Sequence, residues 1–538
     1  MSQPPTHSPQ SRDTCTFAGS YETQELFREE ADRLIDAFSS KAFSSVHCIV
    51  NPVFNRNPYV SPLLTLLLTK RNKPTRLRLF GMFARNILLY FIRSARYCIF
   101  FMFQIIRYRS YSNSIKKELL ATSKPIFVDT FIICDKVSEE GKYEERYLLQ
   151  LFPFLETGNR PIYTVPCFIG DKNEPQIFRF LTNPKRGLPT PIPDFALLDW
   201  LDFIRLLSFT LTYPIRILSL IFLCVGQNRP WQIAYSLLYT LKIPTADSFI
   251  RYLYGKNLAK FTEGEIDVLS WYENQPIDKA FYAGLRTTGR NKVKITGIQA
   301  LAYSRVQANY FATLSEYKHG LLPDHLRVNG TAYLKWHNHQ LYQSVSCSPS
   351  FRYQHLRIGE KFSIAEFPED GAPLIALTYF KDLSLDLLGI CRDTYLASES
   401  ARVRLHPTQT GGTQVTWQNA FPSGWMIDSL PLPQSLMQAT VLITTESGIA
   451  LEAATVGIPV VIIASNQSFT SNPMPNFGRN DTWGLAHDSR ELEALCKKLI
   501  FKRVSNPSLF RIFADRCRRQ LFTPINDETL QEAFGHVV

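Results

Sequence analysis

The sequence predicts an α/β protein in which two Rossmann-like domains face a cleft, with amphipathic helices inserted in the N-terminal half. Three observations support this fold class. Hydrophobic residues make up 45% of the 538 residues, which is enough apolar material for large cores. Short apolar segments alternate with helical stretches, a pattern typical of parallel α/β sheets. Two longer apolar segments carry arginines at helical spacing.

The predicted strands fall into two groups along the chain. In the first half they are Pro125–Cys134, Pro161–Ile169, Glu265–Trp271 and Lys292–Gly297. In the second half they are His325–Asn329, Pro373–Tyr379, Val403–Leu405, Val441–Thr444 and Pro459–Ala464. We expect a disordered start (residues 1–20), a first domain (21–322), a second domain (323–505) and C-terminal helices (506–538). Ligands are expected where the strands of both domains end at the cleft.

The positive charge of the chain is concentrated in one segment. Residues 51–117 contain 13 Lys and Arg residues and no Asp or Glu, whereas the formal net charge of the whole chain is +12. The remaining residues are therefore close to neutral. A basic nucleic-acid surface spread over the protein is not indicated, and we expect no nucleic-acid partner.

The basic segment, within residues 60–117, is also strongly apolar and predicts an amphipathic helix. On a helix, Arg78, Arg85, Arg96 and Arg107 fall in one narrow stripe beside a wide apolar surface. Arginines at so many depths argue against a spanning helix and favour a helix lying on an anionic membrane surface. The alternative is a core helix whose arginines line a cleft or pair with acids. Residues 199–226 repeat the pattern and favour an interfacial or buried helix, although this segment is long enough to span a bilayer.

The most informative motif follows a predicted strand in the second half. The strand ends at Thr445, Glu446, Ser447 and Gly448, and a helix is predicted directly after them. Ser447 is a good helix N-cap, and free backbone N–H groups at this point would form an anion site. The alternative interpretation is an ordinary strand–helix turn with a capping serine.

This motif and its surroundings resemble a known enzyme family. Ser447-Gly448, Glu452-Ala453 and Gly457-Ile458-Pro459-Val460 are similar to the donor-binding half of GT-B glycosyltransferases. The resemblance implies that the helix N-terminus holds a nucleotide phosphate and that Glu452 reaches the ribose of the donor. It also implies that residues 21–322 form an acceptor domain and residues 323–505 a donor domain.

A second motif narrows the resemblance. His406-Pro407 ends a short predicted strand 41 residues before Ser447. It looks like the HP motif of bacterial sialyl, Kdo and CDP-polyol transferases of surface polysaccharide biosynthesis, such as that of lipopolysaccharide or capsule. The resemblance implies that His406 contacts the phosphate of a cytidine nucleotide, with Pro407 beside it. His406 taken alone could equally be an ordinary loop histidine.

Two carboxylates are candidates for the catalytic base. Glu273 follows a predicted strand together with Asn274 and Gln275, and polar residues at that edge would face the cleft. Asp129 lies in the middle of another predicted strand, where a buried carboxylate needs a partner or a function. The alternatives are a loop carboxylate for Glu273 and a structural hydrogen bond for Asp129. The acid motif of the sialyltransferases, two acids and a glycine, is not present in its usual form.

Together these features predict a metal-independent glycosyltransferase without a bound cofactor. Its donor would be a nucleotide-sugar, CMP-linked in preference to UDP-linked, and its acceptor a lipid-linked or polysaccharide molecule. Scattered cysteines without a disulfide or zinc pattern favour a reducing compartment, so we expect a peripheral protein on the cytoplasmic face of the inner membrane. The alternatives are a UDP-sugar epimerase-like enzyme and a membrane-bound scaffold with a degenerate nucleotide site.

Overall fold

The computed structural model describes most of the chain, namely residues 21–42, 45–57, 60–68, 74–171, 174–223, 230–243, 245–287, 293–360, 366–368, 370–406, 417, 421–465 and 470–538. The expected disordered start, residues 1–20, lies outside the described residues. So does Pro407 of the predicted donor site.

Helices precede the first strand and fill the long connection within the first domain. Before the first strand lie α1 (Tyr21–Ala42), α2 (Val46–Ile49), α3 (Pro52–Asn55), α4 (Leu63–Leu68), α5 (Arg76–Arg107) and α6 (Arg109–Leu120). Later come α7 (Leu151–Leu155), α8 (Pro175–Thr182), α9 (Asp194–Leu197), α10 (Trp200–Leu223), α11 (Pro230–Thr240), α12 (Ala246–Phe261) and α13 (Pro276–Arg286). Helices α5, α10 and α11 pack on one another and share an apolar core with α1 and α4.

The first sheet is parallel and contains six strands within the described residues. They are β1 (Ile126–Ile133), β2 (Ile162–Ile169), β3 (Ile266–Trp271), β4 (Val293–Gln299), β5 (His325–Val328) and β6 (Ser344–Cys347). Their order in the sheet is β2-β1-β3-β4-β5-β6. The order reverses between β1 and β3, so a crevice opens at the carboxyl ends of these two strands. Short helices α14 (Leu314–Lys318) and α15 (Thr331–Leu334) flank β5.

The second sheet is also parallel, again with six strands in the part of the chain that the structure describes. They are β7 (Ala372–Ala376), β8 (Ala401–Arg404), β9 (Trp425–Ile427), β10 (Ala439–Thr444), β11 (Val460–Ile463) and β12 (Trp483–Ala486). Their order is β12-β11-β10-β7-β8-β9, the Rossmann order, which reverses between β7 and β10. The helices of this domain are α16 (Lys381–Arg392), α17 (Leu432–Met437), α18 (Ile449–Thr455) and α19 (Ser489–Ser505). The predicted pair of Rossmann-like sheets is thus confirmed.

The predicted boundary near Leu321–Pro323 is wrong at the level of the sheets. Strand β5 pairs with β4, and β6 pairs with β5, so both belong to the first sheet. The chain passes to the second sheet only between Cys347 and Ala372. The sequence pattern does not reveal this, because strand pairing depends on tertiary contacts.

The C-terminal helices return to the first domain. They are α20 (Pro507–Leu521) and α21 (Asp527–Phe534). The backbone of Leu521 lies against Gly330, and the guanidinium of Arg327 donates to the Ala533 carbonyl at 3.0 Å. The end of the chain therefore ties the two domains together.

Helices α5 and α10 expose apolar surface. Within the described residues they are the two helices that are long and apolar enough to cross a membrane, by length and composition alone. The buried face of α5 carries polar Asn86, Ser94 and Gln104, whereas large apolar side chains point outward. On α5 these are Leu77, Phe80, Leu88, Phe91, Ile92, Ile99, Phe100, Phe103 and Ile106; on α10 they are Trp200, Leu201, Ile204, Leu207, Leu211, Ile215, Phe222 and Leu223.

Candidate active site between the two sheets

The predicted donor residues lie at the crevice of the second sheet. Strands β7 and β10 are neighbours there, and the Thr444 hydroxyl donates to the Ala376 carbonyl at 2.9 Å where both strands end. Residues 445–448 leave β10 at this edge, and His406 leaves the adjacent β8 two residues after it ends. In open α/β sheets this crevice is where ligands bind.

The four residues after β10 are buried or half-buried. Thr445 is 4% exposed, and its hydroxyl has no hydrogen-bond partner among the described residues. A carboxylate oxygen of Glu446 accepts from the backbone N–H of Ser471 at 3.3 Å. The expectation that Ser447 caps the helix is wrong, because α18 has Gly448 as its N-cap and no side-chain capping bond. The Ser447 hydroxyl is therefore not used by a helix cap.

His406 is half-buried and lies edge-on to an aromatic ring. Its imidazole and the ring of Tyr379 stand perpendicular, with their centroids 5.6 Å apart. Burial lowers the pKa of His406 below its ordinary value, and the nearby charge of Arg352 lowers it further. The imidazole is consequently neutral at pH 7 in the free protein, and an anion bound beside it would favour its protonation.

Arg352 connects the two domains electrostatically. It lies in the 3-10 segment Phe351–Leu356, which follows the first sheet and packs on it through Phe351. Its charge acts on His406, which follows β8, and also on Glu273, which follows β3. The charge of Arg352, an exposed residue, therefore acts on residues that follow strands of both sheets.

Glu273 occupies the crevice of the first sheet. Its carboxylate accepts from the indole N–H of Trp271 at 2.9 Å, and the side chain is half-buried. Burial raises the pKa of Glu273 above its ordinary value, against the lowering effects of Trp271 and Arg352. A carboxylate with a raised pKa at a cleft edge suits a general base.

Asp129 does not share this position. Both of its oxygens lie 2.8 Å from the guanidinium of Arg251, and the hydroxyl of Ser270 donates to one of them at 2.9 Å. The side chain is 5% exposed. The structure thus corrects the catalytic interpretation of Asp129: it belongs to a buried ion pair that fixes α12 to the first sheet.

Glu452 lies on α18, one turn after Ser447. Its carboxylate oxygen Oε2 is 2.6 Å from Nε2 of His355, which belongs to the same segment as Arg352. The hydroxyl of Tyr353 in that segment lies 3.7 Å from the position that a Cβ would take on Gly448. The segment therefore contacts α18 through His355 and places the Tyr353 hydroxyl near the N-cap residue Gly448.

Sequence reasoning did not predict Tyr379 at the site, and it did not include Arg352 or Asn274 among the catalytic or donor-binding residues. Asn274 is fully buried, has a positive φ of 54°, and its side-chain amide has no partner among the described residues. Strain and unsatisfied polar atoms of this kind are concentrated at functional sites. The position of Asn274 next to Glu273, shortly after a predicted strand, was the available signal for it.

No metal centre is found in the described part of the chain, where no three His, Cys, Asp or Glu side chains are grouped to hold an ion. The candidate site instead offers cationic and neutral hydrogen-bonding side chains, together with the carboxylates of Glu273, Glu446 and Glu452. Such a set can neutralise a phosphate and accept a proton.

Comparisons with known proteins give structural similarity alone. No protein-family model and no curated protein matches the sequence. Among solved structures, the chain is similar to MnaA of S. aureus in complex with UDP, with 11% identity, 77% of this chain and 96% of that chain covered, and a TM-score of 0.40. It is similar to the glycosyltransferase SnogD from Streptomyces nogalater, with 11% identity and a TM-score of 0.37. The match covers 77% of this chain and 99% of that chain. It is also similar to the wall teichoic acid polymerase TagF with CDPG, with 9% identity and a TM-score of 0.36. The match covers 86% of this chain and 98% of that chain.

Proposed function

We propose that this protein is a membrane-peripheral glycosyltransferase that moves a sugar from a nucleotide-activated donor to a lipid-linked or polysaccharide acceptor. The observation that carries the proposal is the position of the segment Phe351–Leu356 between the two sheets. Its His355 contacts Glu452 on α18 at 2.6 Å, and the charge of its Arg352 acts on both His406 and Glu273. One crevice offers a phosphate site, and the other offers a base within the same electrostatic environment.

In the proposed reaction, the donor phosphate lies between His406, Arg352 and the residues after β10. An acceptor hydroxyl attacks the anomeric carbon, forming the new glycosidic bond while the bond from that carbon to the phosphate oxygen breaks. Glu273 takes the hydroxyl proton, and the nucleotide leaves with the bonding electron pair. Arg352 and His406 stabilise the negative charge that develops on the leaving phosphate.

The donor is proposed to be CMP-linked, with UDP-linked donors as the second choice. The support is the sequence pattern at His406 and its place two residues after β8, beside the crevice that holds Ser447. Thr445 adds a buried hydroxyl without a partner among the described residues. Glu452 is proposed to reach the ribose, which would require it to exchange its contact with His355.

The thermal stability of the purified protein in the presence of CMP, CDP, UDP, GDP and NAD tests the proposal. A ligand at 100 times its dissociation constant adds about 2.7 kcal/mol of stability, which is readily detected. CMP or CDP is expected to raise the melting temperature, and His406→Ala and Ser447→Ala should abolish the increase. His487→Ala is the matched control, since His487 is a half-exposed histidine paired with Glu491 at 2.9 Å on α19. If UDP alone raises the melting temperature, the epimerase-like enzyme is favoured. If no nucleotide raises it, the enzyme proposal fails and the membrane-bound scaffold is favoured.

The protein is further proposed to lie on the cytoplasmic face of the inner membrane. The support is the outward-facing apolar surface of α5 and α10 with exposed Arg78, Arg85 and Arg96 beside it. Apolar side chains would enter the boundary of the acyl chains, while the arginines reach anionic head groups. This position would hold the active site near a lipid-linked acceptor.

A further inference from the structure

A second cavity lies between the two domains, lined by residues that the proposed reaction does not use. Its volume is about 510 Å³. The first domain contributes Arg305, Lys335 and Trp336, and the second contributes the loop Asn472–Phe477. The C-terminal helix α20 closes the cavity with Arg516. We call it the basic cavity.

The charge of the basic cavity is positive. Arg305, Lys335 and Arg516 line it, and none of its lining residues in the described part of the chain is Asp or Glu. The Arg516 guanidinium lies 4.0 Å from the centroid of the Phe477 ring, a contact that orients it against the loop. The three cationic side chains would attract an anionic ligand.

The remaining lining suits a saccharide. Trp336 and Phe477 provide aromatic surface, while Asn476 and Gln520 provide amide groups. Aromatic faces pack against the apolar faces of sugar rings, and amides can exchange hydrogen bonds with hydroxyl groups. Cations, amides and aromatic surface together match a molecule that has sugar rings and negative charges.

The basic cavity adjoins the candidate active site. The loop that lines it begins directly after Ser471, whose backbone N–H donates to Glu446 at 3.3 Å. On the other side Phe522 follows the lining residue Leu521 and contacts the ring of Tyr353, with centroids 4.8 Å apart. Tyr353 is the residue that approaches Gly448 at the start of α18. A ligand in the cavity would therefore lie next to the donor site.

We infer that the basic cavity binds the saccharide acceptor and selects one that carries phosphate or carboxylate groups. The inference rests on the proposed transferase function, because a transferase must bind an acceptor as well as a donor. Lys335 and Arg516 hold the anionic groups, Trp336 and Phe477 hold the sugar rings, and a hydroxyl of the acceptor is presented toward the neighbouring donor site.

The test measures binding of three fluorescently labelled saccharides to the full-length protein by anisotropy. They are hexagalacturonate, which carries carboxylates, phosphopentamannose, which carries a phosphate, and neutral maltohexaose. Binding is expected for one or both anionic probes and not for maltohexaose. Comparison of the two anionic probes shows whether the cavity prefers carboxylate or phosphate groups. Lys335→Ala and Arg516→Ala should each weaken that binding about five- to tenfold, since each removes one charge contact.

A matched control is available on the same helix. Arg519→Ala removes a positive charge three residues after Arg516, from a side chain that is 77% exposed and does not line the cavity. It should leave saccharide binding unchanged, and Arg516→Lys should retain part of the binding. Equal binding of maltohexaose, or unchanged binding in both alanine variants, would overturn the inference.

Nucleotide binding, measured on the same variants by thermal stability, separates this inference from the proposed function. Lys335→Ala and Arg516→Ala should keep the stabilisation by CMP or CDP. Loss of that stabilisation would assign the cavity to the donor site and overturn the acceptor assignment. A wild-type protein that binds the anionic probes but no nucleotide would retain a saccharide site while contradicting the transferase.

Discussion

The imidazole of His355 lies 2.6 Å from the carboxylate of Glu452 and joins the two domains at the candidate active site. His355 follows the first sheet, and Glu452 lies on α18 of the second. The Glu452 side chain is 13% exposed and that of His355 is 40% exposed, so the contact is partly shielded from water. A donor that uses Glu452 must therefore compete with a contact between the domains.

Glu452→Ala and His355→Ala should have unequal effects on nucleotide binding. If Glu452 holds the ribose, its removal weakens CMP binding about fivefold or more, the effect of losing one charged hydrogen bond. His355→Ala leaves Glu452 in place and should change the affinity less than about twofold. Calorimetric titration of both variants checks this, and equal losses would mean that the pair acts only as a contact between domains.

Arg352→Ala should lower turnover more than donor affinity. In the proposed reaction the guanidinium neutralises charge that develops on the leaving phosphate, and removal of such a group costs about 10²-fold in rate. Arg352→Lys should recover part of the activity, because it restores the charge without the planar fork. The assay measures nucleotide release from CMP- and UDP-sugars. Arg357→Ala is the control, since Arg357 is 77% exposed one residue after the same segment, and its loss should leave the rate unchanged.

The pH dependence of activity should follow Glu273. A general base works in its ionised form, so kcat/KM rises with pH through the pKa of Glu273 and reaches a plateau above it. Burial raises that pKa, which places the midpoint above the ordinary value for a glutamate. Glu273→Gln should lower the rate about 10²-fold or more and remove this acid limb. An unchanged acid limb in the variant would assign it to another group.

Much of the fold was predictable from the sequence, but three of the four edge strands in the described residues were not. The interior strands have uninterrupted buried runs, as in β3 and β10, and these produce the apolar segments from which they were predicted. The missed strands β6, β9 and β12 all lie at sheet edges and contain three or four residues. Short strands with one neighbour need little apolar sequence, so their pattern is weak.

The candidate site was predictable only where it follows strands. His406, Glu273 and Thr445 come directly after predicted strands, and carboxyl ends of parallel strands share one edge of a sheet. Arg352 could not be placed in this way, because its position depends on the segment that connects the two sheets. Asp129 was misleading for a related reason: its partner Arg251 is 122 residues distant in the chain.

Asp278→Asn should stabilise the protein at alkaline pH and not at acid pH. Burial raises the pKa of Asp278 to about 7, with Asp129 and Glu273 adding to the increase, so the folded state holds its proton more tightly than the unfolded chain does. The stability of the wild type therefore falls as pH rises from about 4 to about 7, and stays lower above that range.

Asparagine can still accept the backbone N–H bonds that Asp278 receives from Glu273 and Gln275, at 3.1 and 2.9 Å. The Asp278→Asn variant also avoids the cost of a buried charge. Its melting temperature should therefore exceed that of the wild type by about 2–4 °C at pH 8 and match it at pH 4. Asp278→Ala loses the two bonds and should be less stable than Asp278→Asn at both pH values. An equal gain for Asp278→Asn at both pH values would show that the charge is not the cause.

The apolar surface of α5 should determine binding to lipid vesicles. Ile92 and Phe103 are 58% and 55% exposed, and each contributes about 1.5–3 kcal/mol when its side chain is fully removed from water. The double variant Ile92→Asp with Phe103→Asp should reduce sedimentation with vesicles of phosphatidylcholine and phosphatidylglycerol by about tenfold or more. Phe501→Asp is the control, since Phe501 is 71% exposed on α19, outside this surface.

The arginines beside that surface should make a separate, electrostatic contribution to lipid binding. This contribution should depend on the salt concentration and on the charge of the lipid. Arg85→Glu with Arg96→Glu should weaken binding to vesicles containing phosphatidylglycerol and leave binding to pure phosphatidylcholine unchanged, because only anionic head groups attract these side chains. Added salt should reduce the wild-type preference for anionic vesicles in the same way. If Phe501→Asp weakens binding as much as the double variant on α5, the protein binds lipid through general apolar exposure rather than through this helix. If neither pair of substitutions changes binding, the membrane position proposed for α5 is wrong.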